Sequence, residues 1–217
     1  MEAVTSTANP PARPGRDVRV LVVGDHPALR AGLELLFARE PGLDCVGTVA
    51  GTRHLVETVR DTRPDVVVLD HALGADDGLT TCFRLKQRPS PPRVVLYSMD
   101  VHRGFAVPAA IAQADATVAK SASVTELLST VRGLPGGPPP GSGLDPELVE
   151  AAAARLLADD LPIAGMLLAG TPVSDIAEVL DMSETDVRNR ALGIIGRLQA
   201  GSRSRSSGRP VAPGPVT

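Results

Sequence analysis

Between residues 17 and 120 the chain alternates two hydrophobic periods. DVRVLVV (17–23), LDCVGTV (43–49), DVVVLD (65–70), RVVLYS (93–98) and ATVAK (116–120) are short β-rich runs, three of them apolar almost throughout. Strands covered on both faces have that pattern. Between them, Leu29, Leu33, Leu36 and Phe37 mark one helical face, Leu55, Val56 and Val59 another, and Val124, Leu127, Leu128 and Val131 a third. Five strands, each followed by a helix, predict a parallel sheet wrapped by helices, because parallel strands need crossovers.

Beyond residue 144 only the helical period remains. Asp145 and Pro146 predict a helix start, with the helix running through ELVEAAAARLLA. Pro162 opens PIAGMLLA, which Gly170 ends, and Thr171 and Pro172 open PVSDIAEVL, whose Val173, Ile176, Ala177 and Leu180 share a face. After a short turn at Asp181 and Met182, Ser183 caps a fourth helix, and Asp186 completes a capping-box pattern. Val187, Ala191, Ile194, Ile195 and Leu198 form its inward stripe, so Arg188, Asn189, Arg190 and Arg197 point outward. Two short helices about a tight turn, the second richer in Arg, match a helix-turn-helix. Arg can bond phosphate or a guanine edge and Asn can reach an adenine, which suits a major groove.

Composition divides the chain. Residues 1–16 read as a disordered arm, 133–144 as a Pro/Gly linker and 201–217 as a disordered tail. That leaves a larger domain over 17–132 and a smaller one over 145–200. With 217 residues and 43% hydrophobic content, one ordinary core and a small second one can be buried. No run of eighteen apolar residues and no apolar signal core is present, so the expectation is a cytoplasmic protein with no membrane partner. Cys45 and Cys82 stand alone and read as buried reduced thiols, and no His pair has the spacing of a helical zinc site. Aromatic residues are 2% of the chain, which argues against a stacking platform for single-stranded nucleic acid.

In an open α/β sheet, ligands bind at the carboxyl ends of the strands. Those ends offer Asp25, Asp70, Ser98 and Lys120. Two carboxylates and a backbone carbonyl can hold Mg²⁺, a carboxylate can attack phosphorus, and a Lys ammonium neutralises charge on the transferring group. Jointly these residues resemble the receiver domain of bacterial two-component response regulators, and with the C-terminal helices the chain resembles the NarL/FixJ branch. VLVVGDHPALRAGLELLFAREPGLDCVG corresponds to the opening strand, helix and second strand of that branch, and RPDVVVLDHALGADDGL to its phosphoacceptor strand and loop. GTPVSDIAEVLDMSETDVRNRALGIIGRL resembles the LuxR-type helix-turn-helix.

The resemblance implies a five-stranded, doubly wound (flavodoxin-like) receiver domain followed by a small all-α helix-turn-helix domain. It further implies that Asp70 accepts the phosphoryl group from a sensor histidine kinase. Asp25, Asp70 and the carbonyl of Ala72 would form the Mg²⁺ site, and Ser98, Lys120 and Thr117 would form the switch. Gly78 falls where the family closes the loop after the acceptor. Three departures stand out: Gly24 replaces the first acid of the usual pair, Gly74 a Pro, and Thr117 an aromatic. The lost acid is the one that reaches the metal mainly through water, so Mg²⁺ affinity should fall. The family's final helix is replaced by the Gly/Ser/Arg tail.

The expected function is therefore a homodimeric regulator that binds double-stranded DNA, controls transcription and is switched by phosphorylation of Asp70. The alternatives are an atypical regulator that binds DNA without phosphorylation, and an interaction module that binds a protein instead of DNA. An aspartyl phosphatase needs a second acid where Ala72 stands, and a dinucleotide enzyme needs GxGxxG in the first turn, so no enzyme is expected.

Overall fold

The computed structural model describes residues 16–206, apart from residues 75, 100, 102 and 138–140, and gives only the backbone of 201–206. Of the arm expected over 1–16, residues 1–15 lie outside the described residues, as do residues 207–217 of the expected tail, while Arg16 is held by Asp65.

All five strands form where the pattern places them: β1 Val18–Val23, β2 Leu43–Val49, β3 Val66–Asp70, β4 Arg93–Ser98 and β5 Ala116–Ala119. They make one parallel sheet in the order β2-β1-β3-β4-β5. Alternation sorts the side chains. Leu21, Val23, Val67, Leu69, Val94 and Leu96 join one apolar cluster, with α2 (Leu55–Thr62), α3 (Gly78–Lys86) and α4 (Ala106–Ile111). Val20, Val22, Val66, Val68, Val95 and Tyr97 join the other, with α1 (Pro27–Arg39) and α5 (Val124–Gly133). Helices thus cover both faces, as the near-continuous apolar strands require.

The topology places the site. From β1 the chain winds first to β2 and then returns to β3 on the other side, so the carboxyl ends of β1 and β3 are neighbours at the switch point. After β3 a tight loop pairs Ala72 with Asp77 and Leu73 with Asp76 before α3 begins. Gly78 closes this loop by donating its N–H to the His71 carbonyl at 2.9 Å. A Cβ there would lie 2.6 Å from His71 Cα and 2.8 Å from the Asp70 carbonyl, so the loop can close only on glycine.

The smaller domain comprises α6 Pro146–Ala153, α7 Leu161–Leu168, α8 Val173–Val179 and α9 Glu184–Ser206. The inward stripe of α9 is as expected, with Val187, Ala191, Ile194, Ile195 and Leu198 all 0% exposed. Three boundaries differ. The helix expected through ELVEAAAARLLA stops at Ala153, where the Arg155 and Leu156 amides tighten onto the carbonyls of Ala152 and Ala153 and the Arg155 guanidinium turns to the Arg197 carbonyl. Instead of entering a free linker at 133, the chain makes a short 3₁₀ turn over Leu134–Gly136 and buries Leu134 in the sheet's second cluster. The helix α9 also runs to Ser206, into the stretch expected to be a disordered tail. Ala200, Arg203 and Arg205 are good helix formers, and the interleaved Gly and Ser cost no more than about 1 kcal/mol each.

The two domains share an apolar core. The helix α4 is apolar on every side, and five of its six residues, Val107 to Ile111, are buried. One side packs on the sheet cluster and the other meets α7 and α9, so Phe83 and Ile111 belong to the same cluster as Ile163, Leu167, Ile194 and Leu198. An Arg103–Asp145 ion pair ties the turn before α4 to the start of α6.

The Gly78→Ala protein is expected to unfold about 3–10 °C below wild type in thermal melts, the effect of overpacking by about 1–3 kcal/mol. The Gly32→Ala change, at an α1 position with nothing within 4 Å of the added carbon, should instead raise stability.

Candidate functional site

Asp70 ends β3 with its side chain 2% exposed. A carboxylate this buried needs partners, and it has them: Lys120 Nζ donates to Oδ2 at 2.7 Å and the Ala72 amide donates to Oδ1 at 3.0 Å. Lys120 is aligned by the strand before it, because its own N–H donates to the Ser98 carbonyl at 2.8 Å. Ser98, 1% exposed, ends β4 on the neighbouring strand. Asp70, Lys120 and the Ser98 backbone thus come together at the carboxyl ends of β3, β4 and β5.

Asp25 and His26 stand across the switch point. Oδ1 of Asp25 lies 2.5 Å from Nδ1 of His26, and one donor atom from each of Asp25, His26 and Asp70 lies within 4.8 Å of the other two. Ala72 is exposed beside them at the start of the loop. Gly24 is held at both ends, its N–H on the Val49 carbonyl at 3.1 Å and its carbonyl accepting from Arg30 at 2.6 Å. A Cβ on Gly24 would lie 3.6 Å from Asp70 Oδ2, so a carboxylate there would stand beside Asp70 and repel it. Gly74 has φ +65°, which a proline, fixed near −65°, cannot adopt. Thr117 lies half-buried on β5 opposite Leu96, where it brings a hydroxyl to the α4 side of the sheet in place of a ring.

The loop after Asp70 leads directly to the second domain. The His71 ring meets Phe105 edge-on with centroids 5.0 Å apart, and its Nδ1 is 3.7 Å from Asp77 Oδ1. Asp77 caps α3 through Oδ2, which accepts from the Thr80 amide at 2.8 Å, and through Oδ1 it accepts from Gln199 of α9 at 2.7 Å. Sequence reading singled out none of His71, Phe105, Asp77 and Gln199. The all-round apolar run VPAAIA of α4 was the available signal that something covers this side of the receiver.

On the helix-turn-helix, Asp181 takes the left-handed conformation (φ +52°) at the turn. Ser183 caps α9 by accepting from the Asp186 amide at 3.0 Å. Of the four residues expected on the outward face, Asn189 is exposed, whereas the arginines have internal partners. Arg188 pairs with Glu184 one turn back, and Arg197 pairs with Asp160. Arg190 lies 3.6 Å from the same Asp160 and donates to the Asp159 carbonyl at 3.2 Å. Asp160 is 3% exposed, which accounts for its drawing in two guanidiniums.

These features define a protein with a buried, lysine-paired aspartate at a switch point and a helix-turn-helix packed against the adjacent helix. The response regulator receiver domain family matches residues 20–132, and the chain belongs to that family. It is 25% identical over 195 residues to the nitrate/nitrite response regulator protein NarL of Escherichia coli, covering 85% of this chain and 90% of that protein. It is 27% identical over 203 residues to the DNA-binding transcriptional activator DevR/DosR of Mycobacterium tuberculosis, covering 88% and 92%. A LuxR-family two-component response regulator from Aurantimonas sp. SI85-9A1 superposes with TM-score 0.54 at 28% identity, over 62% of this chain and 94% of that one. RcsB of Salmonella enterica bound to promoter rprA matches in fold alone, with TM-score 0.53 and 16% identity, over 85% and 93%. The receiver followed by a LuxR-type helical region is the organisation of NarL-type response regulators, and this chain has it.

Both cysteine thiols are pushed up by burial; Cys82 is fully enclosed and donates to the Ala112 carbonyl. Among the described residues no helix is long and apolar enough to cross a membrane. Tyr97, the chain's single tyrosine, pairs in register with Asp70, and burial first and the Asp70 charge second raise its pKa above the usual 10. A raised phenol pKa contributes stability below pH 10 that is lost as the pH rises through the folded value. Absorbance titration should give a midpoint above that of free tyrosine, and Asp70→Asn should lower it while leaving the contribution from burial.

Proposed function

We propose that the protein regulates transcription by binding double-stranded DNA through α8 and α9, and that phosphorylation of Asp70 by a sensor histidine kinase controls that binding. The observation that carries this reading is the Asp70 carboxylate, buried at the switch point and held by Lys120 at 2.7 Å. In the transfer, a carboxylate oxygen of Asp70 bonds to phosphorus, the bond from phosphorus to the kinase imidazole breaks, and that imidazole retains the electron pair. Lys120 neutralises the incoming oxygens, and in this reading the Ser98 hydroxyl bonds one of them. Asp25, Asp70 and the Ala72 carbonyl would hold a divalent cation, which supplies further charge neutralisation. The donor cluster of Asp25, His26 and Asp70 fits such an ion. Thr117, behind Ser98 on the α4 side, completes the switch set. Asp70 takes up and loses one phosphoryl group, so the reading assigns the chain no turnover of a separate substrate.

Output follows from the contacts of the loop. A phosphoryl group brings about −1.5 to −2 charges to a pocket whose single ammonium already serves Asp70. Lys120 and the loop amides must then turn towards the new oxygens. His71, Asp77 and Gly78 move with that loop, and Asp77 holds Gln199 of the recognition helix. The phosphorylated state therefore loosens α9 from the receiver, starting at the Gln199 contact.

On DNA, phosphates must replace Glu184 and Asp160 as partners of Arg188, Arg190 and Arg197. That exchange makes affinity modest and salt-sensitive, and raises the value of a homodimer that engages two half-sites.

Incubation with a small acyl phosphate donor and a divalent cation should add one phosphoryl mass to the intact wild-type chain and none to Asp70→Ala. In gel shifts with genomic fragments, Arg188→Ala should weaken binding by about 5- to 100-fold. Gln199→Ala should tighten binding by the unphosphorylated protein by about 3- to 10-fold, the equivalent of one released hydrogen bond. A protein that gains no mass and binds DNA equally well as Asp70→Ala would overturn the phosphorylation switch.

A further inference from the structure

We infer that the last turns of α9, which carry Arg203 and Arg205, form a clamp for the phosphates of double-stranded DNA beside the groove that the start of the helix enters. The inference rests on the DNA-binding reading of α8 and α9, and it assigns the sequence-independent part of that binding to a stretch beyond the helix-turn-helix core.

Charge is unevenly divided along these helices. From Val173 to Val187 the chain has Asp175, Glu178, Asp181, Glu184 and Asp186 and neither Lys nor Arg, and all of these acids but Asp175 are exposed. A helix-turn-helix brings this surface to the duplex, with its first helix crossing the backbone and the first residues of its second helix at base edges. Here that surface repels phosphate. The next three arginines do not offset it, because Arg188 pairs with Glu184 while Arg190 and Arg197 share the buried Asp160. No acid follows Asp186 in the sequence, so Arg203 and Arg205 are the cations of α9 that lie furthest along the chain from any carboxylate.

The backbone carries these positions to where phosphates run. The helix α9 has 23 residues in one rod, Glu184–Ser206. At about 1.5 Å per residue it is about 34 Å long, too long and straight to stay within a major groove about 12 Å wide that winds around the duplex. With the exposed Asn189 on a base edge, position 203 lies about 21 Å further along the axis and about 40° around it. That is the same side of the rod, beyond the groove wall. Gly193, Gly196 and Ala200 occupy this side between the two positions. An added Cβ would meet only the guanidinium of Arg197 at Gly193 and nothing within 4 Å at Gly196. Core packing therefore does not call for glycine at either position, and their bareness lets the sugar-phosphate backbone approach the helix closely.

Position 205 lies on another side of the rod, where its charge adds to the positive potential around the helix end. Cations in the last turn are also favoured by the helix dipole. The residues that would grip DNA are thus the ones that help α9 run on to Ser206.

The test uses the full chain and a mixed-sequence duplex of about 40 base pairs, with binding followed by fluorescence anisotropy between about 50 and 200 mM salt. Changing Arg203→Gln and Arg205→Gln together should weaken binding by about 3- to 30-fold at the lower salt. It should also flatten the slope of log K against log salt by about 1 to 2, the counterions of one or two phosphates. Arg203→Lys with Arg205→Lys keeps the charge and should stay within about 2-fold of wild type. Asn189→Ala should leave the slope unchanged, since it removes no phosphate contact. Both arginines follow Leu198, the last buried residue of the inward stripe, so the variants keep the fold, which a thermal melt checks.

An unchanged salt slope in the Gln variant would overturn the inference, as would a Lys variant as weak as the Gln one. A wild-type chain that binds no duplex ends both this inference and the DNA-binding reading. Binding that survives Arg188→Ala but is lost in the Gln variant removes the reading of the helix-turn-helix and keeps the clamp, whereas the reverse result removes the clamp alone.

Discussion

A carboxylate with 2% of its surface exposed is the constraint around which the receiver is arranged. Burying an ion costs several kcal/mol unless charge and hydrogen bonds are returned to it. Asp70 recovers them from Lys120 and the Ala72 amide, and both depend on the sheet. Parallel pairing of β3, β4 and β5 sets Asp70 level with Tyr97 and Val118, so that Lys120, two residues further on, reaches its carboxylate, while the tight loop closed by Gly78 turns the Ala72 amide back onto it. The apolar strands supply the dry surroundings that make the pair strong. A group placed on Asp70 therefore cannot be accommodated by solvent, and the neighbouring loop has to respond.

That response has a short route to the second domain. One residue beyond Asp70, His71 lies against Phe105, and at the far end of the same loop Asp77 holds both the start of α3 and Gln199 of α9. Around this polar contact, α4 is enclosed between the sheet and α7 with α9, so the receiver and the helix-turn-helix are parts of one apolar cluster. Thr117 puts a hydroxyl on the α4 side of the sheet, and the loop after Asp70 is in direct contact with α9 through Asp77 and Gln199. Within the helical domain the same electrostatic rule holds on a smaller scale, with buried Asp160 drawing in Arg190 and Arg197. Arg188, Arg190 and Arg197 are thus all held by carboxylates of their own domain.

The fold was legible because its signals are local and periodic. Each strand lies within a residue of its expected span, and the inward stripe of α9 is buried at every expected position. The proximity of Asp25, Asp70 and Lys120 was legible too, because strand ends in a parallel sheet are brought together by topology alone. What the sequence hid depends on contacts between distant segments. Nothing local marks Gln199 as a partner of Asp77, or Asp160 as the residue that takes up Arg197. The early stop of α6 at Ala153 is tertiary in origin as well: the Arg155 side chain reaches the carbonyls of α9, a gain the Ala-rich helical pattern does not record.

In the proposed switch, a change at Asp70 loosens α9 through the loop. Amide hydrogen exchange with and without beryllofluoride, a phosphoryl mimic for aspartate, tests it most directly. The account predicts faster exchange in α4 and along residues 192–199 of α9 in the wild-type protein, with the sheet amides unchanged and no response in Asp70→Asn. Exchange along α4 and α9 that stays the same while the mimic demonstrably occupies Asp70 would contradict it.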